Sequence, residues 1–344
     1  MNGKKILVTG GCGYIGSHTA IDLLNHGYEV VSLDSLVRAE KSVEERVRKI
    51  TGKNFRNKKI DLTDLAAVKS FFKQEGTFDG VIHFAAFKSV RESQTNPFLY
   101  YRNNLDALSN LLEAMQEAEI RNFIFSSSCT VYGNPDKVPV TELTPRGRPA
   151  SAYGHTKIIS EEIIEFISTI SKIKTVMLRY FNPAGAHESG GIGEVPFGAP
   201  EFLVPSLMRA AAGKIPELVV HGNDYPTRDG TCVRDYPHVI DIAHAHLLAL
   251  EFLINNKLES NPEIFNLGTG EGQTVKEMIS TFEDSTAKKI PHRYGPRRPG
   301  DVMAIYADIS KAKNVLGWNP SHSLKDIMLS AWNWEQTMVR EGIV

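Results

Sequence analysis

Cysteine is scarce: the 344 residues contain three, Cys12, Cys129 and Cys232, and no two of them form a CxxC pair. That leaves no basis for a disulfide framework or a thiolate zinc site, and it fits a reducing compartment. Excess charge of either sign is also missing. The 39 Lys and Arg stand against 40 Asp and Glu, a formal net charge of −1, so there is no electrostatic case for binding nucleic acid or a membrane surface. No apolar run is long enough to span a bilayer, because the most apolar stretch, Ile242 to Ile254, is interrupted by His244, His246 and Glu251. Repeats, low-complexity tracts and long linkers are absent from the sequence. A strand-like run begins at Lys5, which leaves no room for a signal peptide, and the expectation is a cytoplasmic protein. With 42% hydrophobic residues the chain has material for a large core, enough for two domains.

What is present is concentrated in two motifs. Lys5-Ile6-Leu7-Val8-Thr9 reads as a buried parallel strand, the glycine-rich Thr9-Gly10-Gly11-Cys12-Gly13-Tyr14-Ile15-Gly16 follows, and His18 to Leu24 has helical spacing. Strand, turn and helix in that order are what a dinucleotide-binding loop requires. Gly10 permits the tight turn, Gly13 lets backbone N–H groups approach a pyrophosphate, and Gly16 lets the helix pack closely on the strand. The helix N-terminus presents its positive dipole end to the phosphates. A second apolar run, Tyr28 to Leu33, ends at Asp34, whose carboxylate can accept hydrogen bonds from adenosine ribose hydroxyls and would repel a 2′-phosphate. NAD is therefore favoured over NADP, with Arg38 nearby weighing slightly the other way.

The second motif is Tyr153-Gly154-His155-Thr156-Lys157. Tyr153 and Lys157 are four residues apart on an amphipathic helix whose apolar positions include Ile159, Ile163, Phe166, Ile167 and Ile170, so both side chains share a face. A free tyrosine has a pKa of about 10 and is a poor base near neutrality. A neighbouring ammonium and the positive nicotinamide ring both favour the phenolate, so a lowered pKa is expected at Tyr153. Ser126-Ser127-Ser128 ends a strand-like run and can supply a hydroxyl that orients a substrate oxygen. With the dinucleotide loop, this set points to NAD chemistry on an alcohol.

Further strand-like runs at 80–84, 122–126, 175–180 and 264–267 alternate with helical segments. The fold class expected is α/β: a Rossmann-like doubly wound parallel sheet, with ligands at the carboxyl ends of its strands, and a smaller, loop-rich α/β C-terminal substrate domain. Lys88, Ser128 and Asn182 all follow strand ends. From about Asn182 to Arg234 the chain is rich in glycine and proline, and regular patterning returns from Tyr236 to Gly270. The division expected is residues 1–181 plus about 236–270 for the dinucleotide, and about 182–235 plus 271–344 for the substrate.

Together the motifs resemble the extended short-chain dehydrogenase/reductases that modify nucleotide sugars, and among them the UDP-glucose 4-epimerases most closely. The likeness is carried by GGCGYIGSH at 10–18, VIHFAAFKSVRES at 81–93, NFIFSSSCTVYG at 122–133, YGHTK at 153–157, LRYFNPAGAH at 178–187, GNDYPTRDGTCVRDYPHV at 222–239, NLGTG at 266–270 and RRPGD at 297–301. It implies NAD-dependent interconversion of UDP-galactose and UDP-glucose by oxidation and re-reduction at C4, an isomerisation in galactose metabolism with no net redox change. UDP-N-acetylhexosamines are further candidate substrates. The resemblance assigns Tyr153 as base, Ser128 as its hydroxyl partner, and Lys157 as the group that lowers the tyrosine pKa and binds the nicotinamide ribose. The cofactor contacts it implies are Gly10, Gly13, Tyr14, Ile15, Gly16, Asp34, Asp61, Leu62, Phe84, Ala85, Lys88, Asn103, Tyr153, Lys157 and Tyr180. The substrate contacts it implies are Lys88, Ser128, Asn182, Phe202, Leu203, His221, Arg234, Arg298, Asp301 and Ile305. Arg234 and Arg298 suit a diphosphate, and Asp301 a ribose hydroxyl.

Two positions depart from the family pattern. Phe202 stands where an Asn is usual, and His221 stands where a Phe or Tyr usually lies against the uracil, though His can still stack. Ile305, four residues after Asp301, occupies the wall position where a large Tyr narrows the room for an N-acetyl group and a small Cys or Ser leaves space. Its intermediate volume implies UDP-glucose and UDP-galactose as the main substrates, with lower efficiency on the N-acetylated pair. The resemblance also implies a homodimer in which the helix from Tyr101 to Met115 and the Tyr153 helix pair with their copies. The alternative is that both helices are covered within the subunit.

Rival functions fit less well. A 4,6-dehydratase places an Asp-Glu pair just after the serine-tipped strand, and here those places read Cys129-Thr130-Val131, which leaves the elimination without its acid and base. A UDP-glucuronate decarboxylase matches the motifs less closely. A non-catalytic NAD-sensing protein has no need of Ser128, Tyr153 and Lys157, and all three are intact. His238, Asp241, His244 and His246 are metal-ligand types, yet His246 falls on the apolar stripe of Val239, Ile242, Ala243, Ala249, Leu250 and Leu253, so no metal is expected. Cys12 and Cys129 read as small residues packed near the cofactor, and His83 as part of the sheet.

Overall fold

A computed structural model describes residues 3–198, 200–298 and 301–343, so Pro299 and Gly300 of the 297–301 motif lie outside the described residues. The strands are β1 (Lys5–Thr9), β2 (Glu29–Leu33), β3 (Arg56–Lys58), β4 (Gly80–His83), β5 (Asn122–Ser128), β6 (Lys174–Tyr180), β7 (Leu218–His221), β8 (Val233–Arg234), β9 (Glu263–Leu267), β10 (Gln273–Thr274), β11 (His292–Gly295) and β12 (Ala304–Ile305). Seven of them form one parallel sheet in the order β3-β2-β1-β4-β5-β6-β9, the doubly wound arrangement expected from the alternating pattern. β3 escaped the sequence reading because its three residues, Arg-Asn-Lys, are polar and half-buried at the sheet edge.

The helices are α1 (Tyr14–Asn25), α2 (Val43–Thr51), α3 (Leu65–Glu75), α4 (Val90–Thr95), α5 (Pro97–Tyr101), α6 (Ala107–Glu117), α7 (Ala152–Ile170), α8 (Leu203–Ala211), α9 (Val239–Ile254), α10 (Val275–Thr286) and α11 (Leu324–Glu341). Strand alternation divides the apolar side chains between two layers. Ile6, Val8, Ile124 and Val176 pack with Ala20, Ile21 and Leu24 of α1 and with Ile242 and Leu250 of α9. Leu7, Phe123, Phe125 and Met177 point the other way, onto Phe71 of α3, Leu108 and Leu111 of α6, and Ile164 of α7. Each such fully buried side chain contributes on the order of 1.5–3 kcal/mol, so truncating Ile124 or Phe123 to Ala would weaken the sheet that aligns the site.

The remaining strands make two small sheets, β10-β8-β12 and β11-β7. Leu218 and Val220 of β7 pack with Leu207 and Met208 of α8, Met278 and Phe282 of α10, and Ile327 and Met328 of α11 around a separate core, while Ile305 of β12 joins the core that α1 and α9 share with the large sheet. Capping boxes start α10 at Thr274 with Glu277 and α11 at Ser323 with Asp326, where side chain and backbone satisfy each other's orphan groups. Among the described residues no helix is long and apolar enough to cross a membrane.

The helix read from Tyr101 to Met115 runs without a break from α5 into α6, through a wide π-type turn at Arg102–Asp106. The turn carries Asn104 inward, where its Oδ1 accepts from Phe87 N at 2.9 Å and its Nδ2 donates to Phe87 O and Thr156 Oγ1, both at 3.1 Å. Those buried hydrogen bonds compensate for the disturbed helical ladder.

Candidate active site

The glycine loop closes as its spacing predicts. Gly10 has φ +69°, its N–H donates to Leu33 O at 2.9 Å, and Gly13 N donates to Gly10 O at 3.0 Å. A Cβ at Gly16 would stand 2.2 Å from Gly10 O, so only glycine allows α1 to approach the turn this closely. Gly13 is the N-cap of α1 and offers no side-chain cap, which leaves the first-turn N–H groups around Tyr14, Ile15 and Gly16 facing outward for an anion. At the end of β2 the Asp34 carboxylate accepts from Leu36 N at 2.8 Å and Cys12 N at 3.1 Å. Burial pushes its pKa up, and these two N–H groups oppose the shift. Arg38 is not free to meet a 2′-phosphate, since it makes a two-pronged ion pair with Glu92 at 2.6 and 2.7 Å and stacks 3.8 Å from the Phe87 ring centroid.

The other predicted cofactor contacts are gathered along the carboxyl edge of the sheet. Asp61 and Leu62 follow β3, one exposed and one buried; Phe84, Ala85 and Lys88 follow β4; Tyr180 ends β6; and Asn103 lies in the wide turn. The Lys88 ammonium pairs with Glu194 at 2.6 Å and lies over the rings of Tyr14 and Phe202. The Tyr14 hydroxyl donates to Gly185 O at 2.6 Å, tying the loop to the segment after β6.

β5 and α7 bring the proton-transfer residues together. Ser151 caps α7 by accepting from Gly154 N at 3.1 Å, which sets Tyr153 in the first turn and Lys157 one turn later. Lys157 Nζ donates to Ser126 O at 2.6 Å, the Ser126 hydroxyl is hydrogen-bonded to the Tyr180 hydroxyl, and Ser128 lies near enough to Tyr153 to act on its phenol. The expected lowering of the tyrosine pKa is reversed in the protein alone. Burial, reinforced by the neighbouring Tyr180, pushes the Tyr153 phenol well above its usual value, and Ser128 opposes this only in part. The ammonium is itself desolvated: burial pulls Lys157 down to about 8, against the opposing pull of Glu161. Its nitrogen is 6.0 Å from the Tyr153 ring centroid and is committed to the Ser126 carbonyl.

The small sheets supply the other wall. Arg234 of β8 pairs with Asp301 and donates to Val233 O at 2.8 Å, and Ile305 lies opposite Arg234 in the β8/β12 register, buried. His221 ends β7; burial lowers its pKa, Arg298 lowers it further, and Asp301 opposes, so these three residues share one neighbourhood. Cys129, next after Ser128, is pushed up to about 12 by burial while the Arg234 charge opposes, which brings this wall to the serine strand. Asn182 donates its N–H to Asp235 O at 3.0 Å, and its buried Oδ1 has no partner among the described residues. Phe202 is the N-cap of α8 ahead of Leu203 and rests against Lys88.

This geometry can be set beside known proteins. The profile of the GDP-mannose 4,6 dehydratase family matches residues 7–330. UDP-glucose 4-epimerase of Bacillus subtilis (strain 168) is 46% identical over 335 residues, covering 97% of each chain. The chain belongs to the UDP-glucose 4-epimerase family. A crystal structure of a member from Stenotrophomonas maltophila, with bound NAD and formylated UDP-arabinopyranose, superimposes with a TM-score of 0.94 at 44% identity, covering 98% of this chain and 99% of that one. The UDP-Glc/GlcNAc 4-epimerase of Campylobacter jejuni has a TM-score of 0.84 at 38% identity, covering 97% and 100%. In this chain the 3₁₀ turn after Ser128 holds Cys129, Thr130 and Val131 rather than an acid pair.

Several supporting residues were not singled out in the sequence. Asp235 accepts from Thr269 N at 2.7 Å, Thr269 Oγ1 at 2.8 Å and Ala307 N at 3.1 Å, joining the 266–270 segment to the chain two residues past Ile305. Asn104 and Thr156 lock the wide turn to α7, and Glu161 with Arg179 ties α7 to the sheet. Their signal was a polar residue at a helical or strand position that pattern assigns to the interior, as at Asn104 and Arg179. His246 is the core histidine expected, its Nδ1 bonded to Ile242 O at 2.8 Å, and His83 shares a 2.7 Å bond with Thr9 Oγ1 inside the sheet. The four metal-type residues weighed on α9 do not converge. Among the described residues the donor atoms that do are Asp22, His26 and His244, where the Asp22 carboxylate meets the two imidazoles at 3.2 and 3.1 Å.

Proposed function

We infer that the protein interconverts UDP-galactose and UDP-glucose by oxidation and re-reduction at C4 of the sugar, with NAD as the cofactor held throughout the cycle. The observation that carries the reading is the convergence of Ser128, Tyr153 and Lys157 at one end of β5, between the glycine cradle on one side and the Arg234–Asp301 pair on the other. The cradle fits a dinucleotide: Gly10 and Gly16 admit no Cβ, the helix start is uncapped, and Asp34 stands where ribose hydroxyls would lie. Bound NAD supplies the hydride acceptor and, after the keto-sugar has turned in the site, the hydride donor at C4.

The chain's own residues manage the proton and the pose. Tyr153 takes the proton of the 4-hydroxyl and returns it, so no acid or base is consumed overall. Its high intrinsic pKa means that it serves as a base only with cationic neighbours, which makes the Lys157 charge essential. Ser128 bonds the same oxygen, and Tyr14, Ile15, Asp61, Leu62, Phe84, Ala85, Lys88, Asn103 and Tyr180 line the cofactor side. Arg234 and Arg298 neutralise the diphosphate, Asp301 accepts from a ribose hydroxyl, His221 stacks on the uracil, and the unpartnered Asn182 Oδ1 accepts from a sugar hydroxyl. Phe202 and Leu203 close the pocket at the start of α8. In this reading residues 1–181 with about 236–270 hold the dinucleotide, and about 182–235 with 271–344 hold the nucleotide sugar.

The buried Ile305 beside Arg234 supports plain UDP-hexoses as main substrates, with UDP-N-acetylhexosamines turned over less efficiently. A homodimer completes the reading. Its support is the groove between α6 and α7 lined by Leu112, Ile163 and Ile167, continued by Phe166 and Ile170, both about two-thirds exposed. Three free, buried thiols fit a cytoplasmic location. The test is to incubate the purified protein with UDP-galactose, without added NAD, and follow UDP-glucose. Its formation to a fixed equilibrium ratio is expected, whereas a 4-keto-6-deoxy product or no turnover overturns the reading.

A further inference from the structure

Glu161 stands one helical turn beyond Lys157 on α7 and is fully buried. Its Oε1 accepts from Ser127 Oγ at 2.6 Å and Arg179 Nε at 2.9 Å, and its Oε2 accepts from Arg179 Nη2 at 2.6 Å and Arg146 Nε at 2.8 Å. Ser127 separates Ser126, whose carbonyl holds Lys157, from Ser128, which acts on the Tyr153 phenol. Arg179 lies opposite Ser127 in the β5/β6 register and precedes Tyr180, the neighbour of Tyr153. A charge so deeply buried is tolerated only with its partners in place. One carboxylate therefore joins α7, β5 and β6 at the level of the reacting groups.

We propose that Glu161 is a positioning residue for the C4 reaction: bonded to Ser127, Arg179 and Arg146, it holds α7 in register with the serine strand and sets a carboxylate one helical turn beyond the Lys157 ammonium. This inference rests on the epimerase reading. The groups that face Lys157 are Tyr153 and Glu161 from α7, the Ser126 carbonyl and Phe125 ring from β5, and His83 from β4, which burial pulls down to about 3 and so keeps neutral. Tyr180 from β6 acts on Tyr153, and beyond Glu161 lie Arg179, Arg146 and Glu165. Within this set Glu161 is the charge that opposes the loss of the Lys157 proton. The sign follows directly. Neutralising Glu161 leaves guanidinium charges uncompensated, so Lys157 gives up its proton at lower pH. Removing Arg146 leaves Glu161 less compensated, so Lys157 keeps its proton to higher pH.

The test is the pH profile of kcat/KM for UDP-galactose in the native protein, Glu161→Gln and Arg146→Met. In Glu161→Gln the alkaline limb is expected about one pH unit lower, a ~tenfold loss of kcat/KM above the limb. In Arg146→Met, a change at a half-exposed edge of the network, the limb is expected to move upward, a direction that loss of packing alone does not produce. Limbs unmoved in folded, active variants overturn the inference by itself. If Glu161→Gln does not fold, Arg146→Met decides: an upward shift supports the inference and an unmoved limb refutes it. A native protein that makes no UDP-glucose overturns the functional reading, and this inference with it.

Discussion

Gly13→Ala and Gly16→Ala, two similar substitutions in one loop, should fail for different reasons. A Cβ at Gly16 would lie 2.2 Å from Gly10 O and 3.0 Å from Gly10 C and Gly11 Cα, all backbone atoms that cannot swing aside. Restoring ordinary contact requires α1 to retreat by about 1 Å, and overpacking of that kind costs about 1–3 kcal/mol. The retreat also draws the first-turn N–H groups away from the pyrophosphate. Losing two charge-assisted hydrogen bonds at about 1.5–3 kcal/mol each weakens NAD binding by about 10²- to 10⁴-fold. At Gly13 the Cβ meets only Gly10 O, at 3.1 Å, and φ −76° suits alanine, so the apo-protein should keep nearly its native stability. Its added methyl instead occupies the space where the pyrophosphate comes close. The assay is thermal unfolding of NAD-stripped protein together with the NAD content of protein as purified. Gly16→Ala should lower both Tm and NAD content, and Gly13→Ala the NAD content alone. A Gly16→Ala protein with native Tm and full NAD would refute the packing argument.

Tyr153→Phe should retain NAD and lose about 10²- to 10⁴-fold in kcat, because the ring stays while the proton acceptor goes; near-native turnover removes Tyr153 as base. Glu75 is held below its usual 4.5 by Lys58, with Arg56 and Lys5 also paired to it. Its folded pKa is depressed, so its contribution is present above 4.5 and fades as pH falls through the lower folded value. Glu75→Gln should thus lower Tm at pH 7, with the gap to the native protein closing in acid. A gap independent of pH would show that charge is not the cause. At Ile305, Tyr should depress and Ser should raise the kcat/KM ratio of UDP-N-acetylgalactosamine to UDP-galactose, about tenfold for each ~1.4 kcal/mol of altered contact. An unchanged ratio in both variants would show that Ile305 is not the wall.

Much of this protein was legible in its sequence, because the decisive signals were local. A glycine loop is set by turn conformation and close approach within a few residues, and a Tyr and Lys four apart share a helix face whatever the rest of the chain does. Buried strands announce themselves as apolar runs, which is why the parallel sheet was readable while the polar β3 was not. Tertiary structure alone decided the wide turn at Asn103 and Asn104, the diversion of Arg38 to Glu92, and the pairing of Arg234 with Asp301, 67 residues apart in the sequence. It also decided how strongly burial raises the Tyr153 phenol before any cofactor is bound, since spacing reveals that an ammonium is near but not how much water both groups have lost. Desolvation and long-range charge pairing depend on what every other segment brings to the site, so they exist only once the chain has packed.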